Sequence, residues 1–127
     1  MVYGIGIDIV SKNKIRDALR RNEKAFLKFV FTRKEIEYAH KYQDAVSHLS
    51  VFFAAKEAVL KTFGTGWKRG VKLTDIEVSH TLNGKPEINL SGNARKIAQS
   101  LGVFRMLISL SFEDSYAIAS AVALRPI

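Results

Sequence analysis

The chain has 127 residues, of which 47% are hydrophobic, and it carries 20 lysine and arginine residues against 12 aspartate and glutamate residues. This composition argues against a disordered chain, the absence of cysteine excludes disulfides, and no apolar run is long enough to span a bilayer. The net charge of +8 favours an anionic partner, namely a nucleic acid, a phosphorylated ligand or an acidic protein. A single domain over 1–127, located in the cytoplasm, is the expectation.

The first predicted element is a β-strand over residues 2–9 that ends near a lone carboxylate. One face of this strand carries large apolar side chains, and the other carries Gly4, Gly6 and Asp8. The bare glycines allow a close approach beside Asp8. Either a helix packs there, with Asp8 as a cap, or a ligand binds there.

Residues 12–29 have the spacing of an amphipathic helix that Ser11 could cap. Its apolar face consists of Ile15, Ala18, Leu19, Phe26, Phe29 and Val30. Beside this face runs a basic stripe, formed by Lys14, Arg21, Lys24 and Lys28. Such a stripe either docks an acidic partner or keeps the chain soluble. Thr32 then begins a short second helix, with Glu35 as its capping-box partner.

A third helix is predicted from about residue 44 to residue 63. It is apolar around much of its circumference, as in a buried central helix, yet it carries Lys56, Glu57 and Lys61. Glu57 and Lys61 have the spacing of an ordinary surface ion pair. In a buried helix Glu57 would instead need a cation, either Lys61 or a metal ion. Since Mg²⁺ is often held by two carboxylates, water and phosphate, Asp8 and Glu57 are candidate ligands.

The second half of the chain predicts strands and one more helix. After a glycine-rich connection, residues 73–79 and 86–90 form strands joined by a hairpin turn at Asn83-Gly84. Ser91 begins a helix that Gly102 ends, and residues 103–111 and 116–124 are two further strands. This order predicts an α+β fold with antiparallel strands packed against the long central helix. The three histidines lack metal-ligand spacing and are interpreted as surface or packing residues.

Taken together, these segments resemble the holo-acyl-carrier-protein synthases, the small 4′-phosphopantetheinyl transferases of fatty-acid synthesis. The matching blocks are Gly4-Ile-Gly-Ile-Asp-Ile9, Phe31-Thr-Arg-Lys-Glu35, Phe53-Ala-Ala-Lys-Glu-Ala58 with Lys61, Phe63-Gly-Thr-Gly66, Asp75-Ile-Glu77, Asn83-Gly-Lys-Pro86 and Ile108-Ser-Leu-Ser111 with Tyr116-Ala117. They cover nearly the whole chain. The resemblance implies an enzyme that moves the phosphopantetheine arm of coenzyme A to a serine of apo-acyl carrier protein, releasing adenosine 3′,5′-bisphosphate.

The resemblance also implies roles for particular residues. Asp8 and Glu57 hold Mg²⁺, Lys61 neutralises the diphosphate of coenzyme A, and Glu57 or a metal-bound water accepts the serine proton. Coenzyme A binding is assigned to Gly64, Thr65, Gly66, Lys85 and Pro86, with Lys68 and Arg69 as further candidates and Glu35 near the site. Docking of the acidic carrier protein is assigned to Lys14, Arg21, Lys24 and Lys28. The family implies a homotrimer with active sites at subunit boundaries.

Four residues depart from the family pattern. Phe112 stands where a histidine is usual, Glu113 and Asp114 stand where hydroxyl and basic residues are common, and Ser11 stands where an acidic residue is common. The loop after Phe112 is therefore the part of the coenzyme A site in question. Two other functions stay open: a non-catalytic relative that binds coenzyme A or carrier protein, and a basic nucleic-acid-binding module. The basic helix lacks interleaved exposed aromatic residues, which disfavours the nucleic-acid module.

Overall fold

The computed structural model describes residues 1–64 and 70–127, and in this part of the chain a long helix lies across an antiparallel sheet. The elements are β1 (Val2–Ser11), α1 (Lys12–Val30), α2 (Arg33–Ala39), α3 (Ala45–Phe63), a short 3-10 helix (Leu73–Asp75), β2 (Ile76–His80), β3 (Pro86–Leu90), α4 (Gly92–Ser100), β4 (Arg105–Phe112) and β5 (Tyr116–Leu124). The sheet order is β1-β5-β4, and β2 pairs with β3 in a separate hairpin. The predicted α+β class is confirmed.

Helix α3 lies close to the sheet because the facing side chains are small. The inner face of β5 is lined by Ala117, Ala119, Ala121 and Ala123, all of them buried. Next to it, β1 presents Gly4 and Gly6 to the helix. Larger side chains fill the space on the other sides of α3, among them Leu49, Phe52 and Val59. The helix is therefore central and mostly buried, as its sequence predicts.

The ends of α3 follow from its capping residues. The Asp44 carboxylate accepts a hydrogen bond from the Ser47 backbone N–H at 3.1 Å, which satisfies a free amide of the first turn. Gly64 ends the helix with a positive φ of 74°, a conformation that suits glycine. Among the described helices, none combines the length and the hydropathy needed to cross a membrane.

Helix α1 is interrupted at Asn22, which the sequence pattern did not predict. Asn22 has φ −162° and ψ 89°, and its side chain caps the following turn by accepting from the Ala25 N–H at 3.1 Å. The interruption resets the phase of the helix, so that Phe29 is 68% exposed. The placement of Phe29 on the buried face was therefore wrong, as was the expectation that this helix exposes no aromatic residue.

Other boundaries follow the expectations with small corrections. The capping box of Thr32 and Glu35 at the start of α2 is confirmed. Ser11 and Ser91 occupy N-cap positions without a side-chain hydrogen bond to their helices. Residues 73–75 form a 3-10 turn instead of a strand, because the Asp75 carboxylate accepts from the Lys72 N–H and closes the turn.

The outer face of the three-stranded sheet is apolar and exposed. On β1, Ile5, Ile7 and Ile9 are 73%, 59% and 62% exposed. Leu107 on β4 and Tyr116 and Ile118 on β5 extend the same exposed apolar surface. A surface of this kind marks an interface with another molecule more often than a solvated face.

Candidate active site

The contact between β1 and α3 brings Asp8 to the polar residues of the helix. A methyl group added at Gly6 would clash with the carbonyl oxygen of Ala58, and one added at Gly4 would clash with that of Thr62. This confirms that the glycines serve close helix packing, whereas the expected role of Asp8 as a cap is wrong, because its carboxylate pairs with Lys61. Asp8 follows on the same face of β1, with its backbone paired to Ala119 of β5.

Lys61 forms its ion pair with Asp8. Its ammonium lies 3.1 Å from Asp8 Oδ1 and donates a second hydrogen bond, at 2.8 Å, to the carbonyl oxygen of Ile7. The Asp8 side chain is 18% exposed and that of Lys61 is 53% exposed. The surface pair of Glu57 with Lys61, one of the sequence interpretations, is therefore replaced by a contact between residues far apart in the chain.

Glu57 is half-buried beside this pair. Burial raises the pKa of Glu57 above its ordinary value, the Asp8 carboxylate raises it further, and Lys61 lowers it. A carboxylate whose ionisation is opposed by burial and by a neighbouring carboxylate gains from a shared cation, so this donor set fits Mg²⁺. Within residues 1–64 and 70–127, no group of three or more His, Cys, Asp or Glu side chains could hold a metal ion. Further ligands of a cation at Asp8 and Glu57 would come from water and substrate.

Lys56 points away from this cluster and forms a buried ion pair. Its ammonium lies 2.7 Å from Glu35 Oε1, and both side chains are completely buried. Burial raises the pKa of Glu35 and lowers that of Lys56, and each partner opposes the shift of the other. The sequence marked both residues, but not as a pair. The signal was a lysine in an apolar helix, which requires a buried acceptor.

Two of the predicted nucleotide residues, Lys85 and Pro86, belong to the β2–β3 hairpin and line grooves next to β4. Lys85 and Pro86 line a groove of about 720 Å³ between β3, α4 and β4, whose rim also carries Arg95 and Arg105. Pro86 and Phe112 line a second groove of about 250 Å³. Among the described residues, neither groove is lined by Asp8, Glu57 or Lys61.

Phe112 belongs to a cluster of aromatic and histidine rings around the second groove. His48 packs edge-on against Phe112, with 5.5 Å between ring centres, and His80 stacks on Tyr38 at 4.1 Å. The ammonium of Lys12 lies over the Phe112 ring, 4.8 Å from the ring centre, and Lys12 is itself buried. For His48 and His80, the interpretation as packing residues is confirmed, and burial lowers the pKa of each.

The residues assigned to carrier-protein docking lie exposed along α1. Lys14 and Arg21 precede the interruption at Asn22, and Lys24 and Lys28 follow it. The exposed ring of Phe29 adds an apolar element next to them. Of the glycine connection, Gly64 is described as a helix cap, while Thr65, Gly66, Lys68 and Arg69 lie outside the described residues.

Comparison with known proteins identifies relatives along nearly the whole chain. Residues 4–121 match the model of the 4′-phosphopantetheinyl transferase superfamily. A holo-[acyl-carrier-protein] synthase of Koribacter versatilis is 38% identical over 122 residues, which cover 96% of this chain and 98% of that protein. The structure of the corresponding synthase of Neisseria meningitidis has a TM-score of 0.90 at 34% identity, covering 98% of this chain and 100% of the other. The Helicobacter pylori synthase in complex with coenzyme A has a TM-score of 0.84 at 30% identity, covering 94% and 99%.

Proposed function

The chain belongs to the 4′-phosphopantetheinyl transferase superfamily, and we propose that it acts there as a holo-[acyl-carrier-protein] synthase. It transfers the 4′-phosphopantetheine group of coenzyme A to a serine of apo-acyl carrier protein. The observation that carries this conclusion is the cluster of Asp8, Glu57 and Lys61, within a chain similar along its length to such synthases. The activated carrier protein would serve fatty-acid biosynthesis.

The reaction is a phosphoryl transfer between anions. The serine oxygen forms a bond to the phosphorus next to pantetheine, and the bond from that phosphorus to the leaving adenosine 3′,5′-bisphosphate breaks. Asp8 and Glu57 would hold Mg²⁺, which supplies positive charge for the diphosphate of coenzyme A. Lys61, held by Asp8 and the Ile7 carbonyl, would add a second positive charge beside the two carboxylates. The serine proton goes to Glu57 or to a water molecule.

Carrier-protein docking is proposed for the basic side of α1. Acyl carrier proteins are acidic around the modified serine, and the exposed Lys14, Arg21, Lys24 and Lys28 offer complementary charge. The helix begins directly after β1, four positions beyond Asp8, so a partner bound on it lies near the carboxylates. The net charge of +8 adds long-range attraction that salt will weaken.

Nucleotide binding is proposed for Gly64, Thr65, Gly66, Lys85 and Pro86. Lys85 and Pro86 line grooves that Asp8 and Glu57 do not line, which supports a site completed by residues from two chains. A homotrimer with sites at subunit boundaries would provide such a site, and the exposed isoleucines of β1 offer a surface for it. A cytoplasmic location stays the prediction from a cysteine-free sequence.

Mass spectrometry of apo-acyl carrier protein, incubated with the protein, coenzyme A and Mg²⁺, tests the function. We expect the carrier protein to gain one phosphopantetheine group, and chelation of divalent ions to prevent the gain. An unmodified carrier protein, with coenzyme A still bound by the chain, would indicate the non-catalytic relative. Salt-sensitive binding to mixed nucleic acid without transfer would favour the nucleic-acid module.

A further inference from the structure

The buried ion pair of Lys56 and Glu35 lies next to the proposed metal ligands, although the reaction does not use it. Lys56 directly precedes Glu57 on α3, and Glu35 belongs to α2. Their charged atoms are 2.7 Å apart, and neither side chain reaches solvent. Replacing such a pair by apolar side chains often leaves stability unchanged, so burial alone does not explain why the chain carries it.

All hydrogen-bonding capacity of the Lys56 ammonium is used. Besides Glu35, it donates to the carbonyl oxygens of Leu73 at 3.0 Å and Ile76 at 2.5 Å, which matches its three hydrogens. Glu35 accepts from the backbone N–H of Thr32 at 2.8 Å and of Val78 at 2.7 Å. A fully satisfied polar network permits one arrangement, whereas apolar contacts tolerate small rotations and shifts.

The network holds Lys56, the residue directly before Glu57 on α3. The direction in which Lys56 points therefore bears on the direction in which Glu57 points. Successive residues of a helix point about 100° apart. Lys56 points to α2 and β2, while the carbonyl of Ala58 lies against Gly6 of β1. Glu57 comes between them, beside Asp8, and Lys61 meets Asp8 one turn later.

We propose that the Lys56–Glu35 pair is a positioning device that sets the rotation of α3, so that Glu57 faces Asp8 and the two together bind a divalent cation. Lys56 and Glu35 act through the helix and touch neither cation nor substrate. The identity of the cation rests on the proposed function. The rival explanation is that the pair contributes only to stability.

Leu49→Ala is a matched control for these two explanations. Leu49 is 2% exposed, belongs to the same helix and precedes Lys56 by two turns on the same side. Its truncation destabilises the core of α3 without removing a directional contact. A merely structural role of the ion pair predicts that variants of Lys56 or Glu35 resemble Leu49→Ala.

The test compares Lys56→Met, Glu35→Gln and Leu49→Ala in the full chain, at a temperature where circular dichroism shows each to be folded. Electron paramagnetic resonance of free Mn²⁺ gives the Mn²⁺ affinity, with and without coenzyme A. We expect the two ion-pair variants to bind Mn²⁺ about tenfold more weakly, and Leu49→Ala to stay within about twofold of the unaltered chain. If Lys56→Met does not fold, Glu35→Gln decides, since it keeps an uncharged acceptor in place.

Unchanged Mn²⁺ affinity in the ion-pair variants, or an equal loss in Leu49→Ala, would overturn the positioning role. An unaltered chain that binds no Mn²⁺ under either condition would overturn it as well. Failure of the proposed function would be observed differently. The unaltered chain would then modify no carrier protein, while the Mn²⁺ affinities of the variants could still be compared with its own.

Discussion

The environment of the Glu57 side chain suits its proposed function but does not favour the stability of the folded chain. Burial and the Asp8 carboxylate raise its pKa, so ionising Glu57 costs more free energy in the folded chain than in the unfolded chain. We expect Glu57→Gln to lower transfer at least about a hundredfold, while the free energy of unfolding stays equal or rises. Transfer to carrier protein and urea denaturation measure the two quantities.

Asp8→Asn is the companion change, and its effect on stability should be small because Lys61 is half exposed. Full turnover by either variant would show that these carboxylates are not the metal ligands.

Phe112 is one of the residues expected to depart from the family pattern, and its ring contacts Lys12 and His48. We expect Phe112→His to tighten coenzyme A binding several-fold. The apolar phenyl ring would be replaced by an imidazole, whose ring nitrogens can hydrogen-bond in the groove beside Pro86. Phe112→Leu, which keeps an apolar side chain, should not tighten it. Isothermal titration with coenzyme A makes the comparison, and equal affinities for all three chains would mean that this loop does not contact the nucleotide.

The contact of α3 with β1 makes a strong prediction at the level of elements. In Gly6→Ala the new methyl group meets the Ala58 carbonyl oxygen, which belongs to backbone and cannot rotate away. We expect a loss of about 3 kcal/mol in the free energy of unfolding, at the upper end of what overpacking costs. Gly64→Ala is the control, because its methyl group meets nothing within 4 Å and only the positive φ opposes it. That cost is about 1 kcal/mol. Chemical denaturation of both variants distinguishes packing from backbone strain.

The ring cluster joining α2, α3 and the hairpin predicts a pH dependence of stability. Burial lowers the pKa of His48 and of His80 from the ordinary value of 6.5. Below that value the two histidines bind protons more readily in the unfolded chain than in the folded chain. Their contribution to the free energy of unfolding is therefore present above pH 6.5 and is lost on acidification. Thermal unfolding of the unaltered chain and of His48→Gln/His80→Gln should therefore converge at low pH. A parallel pH dependence in both chains would contradict this assignment.

The elements of this fold could largely be predicted because their sequence signals are local. The span of α3, its apolar circumference and the capping box of α2 all follow from neighbouring residues. The break at Asn22 could not be predicted, since an asparagine side chain competes with helical hydrogen bonds at many positions and prevails at few. The partner of Lys61 also could not, because it depends on how closely the helix crosses the strand.

At the scale of the whole molecule, the exposed sheet face predicts association. Ile5→Lys would place a charge in the centre of an apolar interface, where desolvation is costly. We expect the variant to sediment as a monomer and to lose transfer, because the hairpin of one chain no longer reaches the carboxylates of another. Leu82→Lys, at an exposed position of the hairpin connection, is the control and should change neither property. An associated and active Ile5→Lys chain would place the interface elsewhere.

The alternation of apolar side chains with glycine and aspartate along β1 predicted that the strand has two different faces. It could not indicate which of the two faces another chain covers.

The two glycines of β1 act as a spacer of fixed length. Asp8 is held at its depth because the glycines before it lie directly against the backbone carbonyls of Ala58 and Thr62, which cannot adjust as a flexible side chain could. A partly loosened chain therefore has no intermediate geometry in which the carboxylates still meet. Enzymatic inactivation and loss of structure should follow a single curve as denaturant is added, with no regime in which a softened protein continues to turn over.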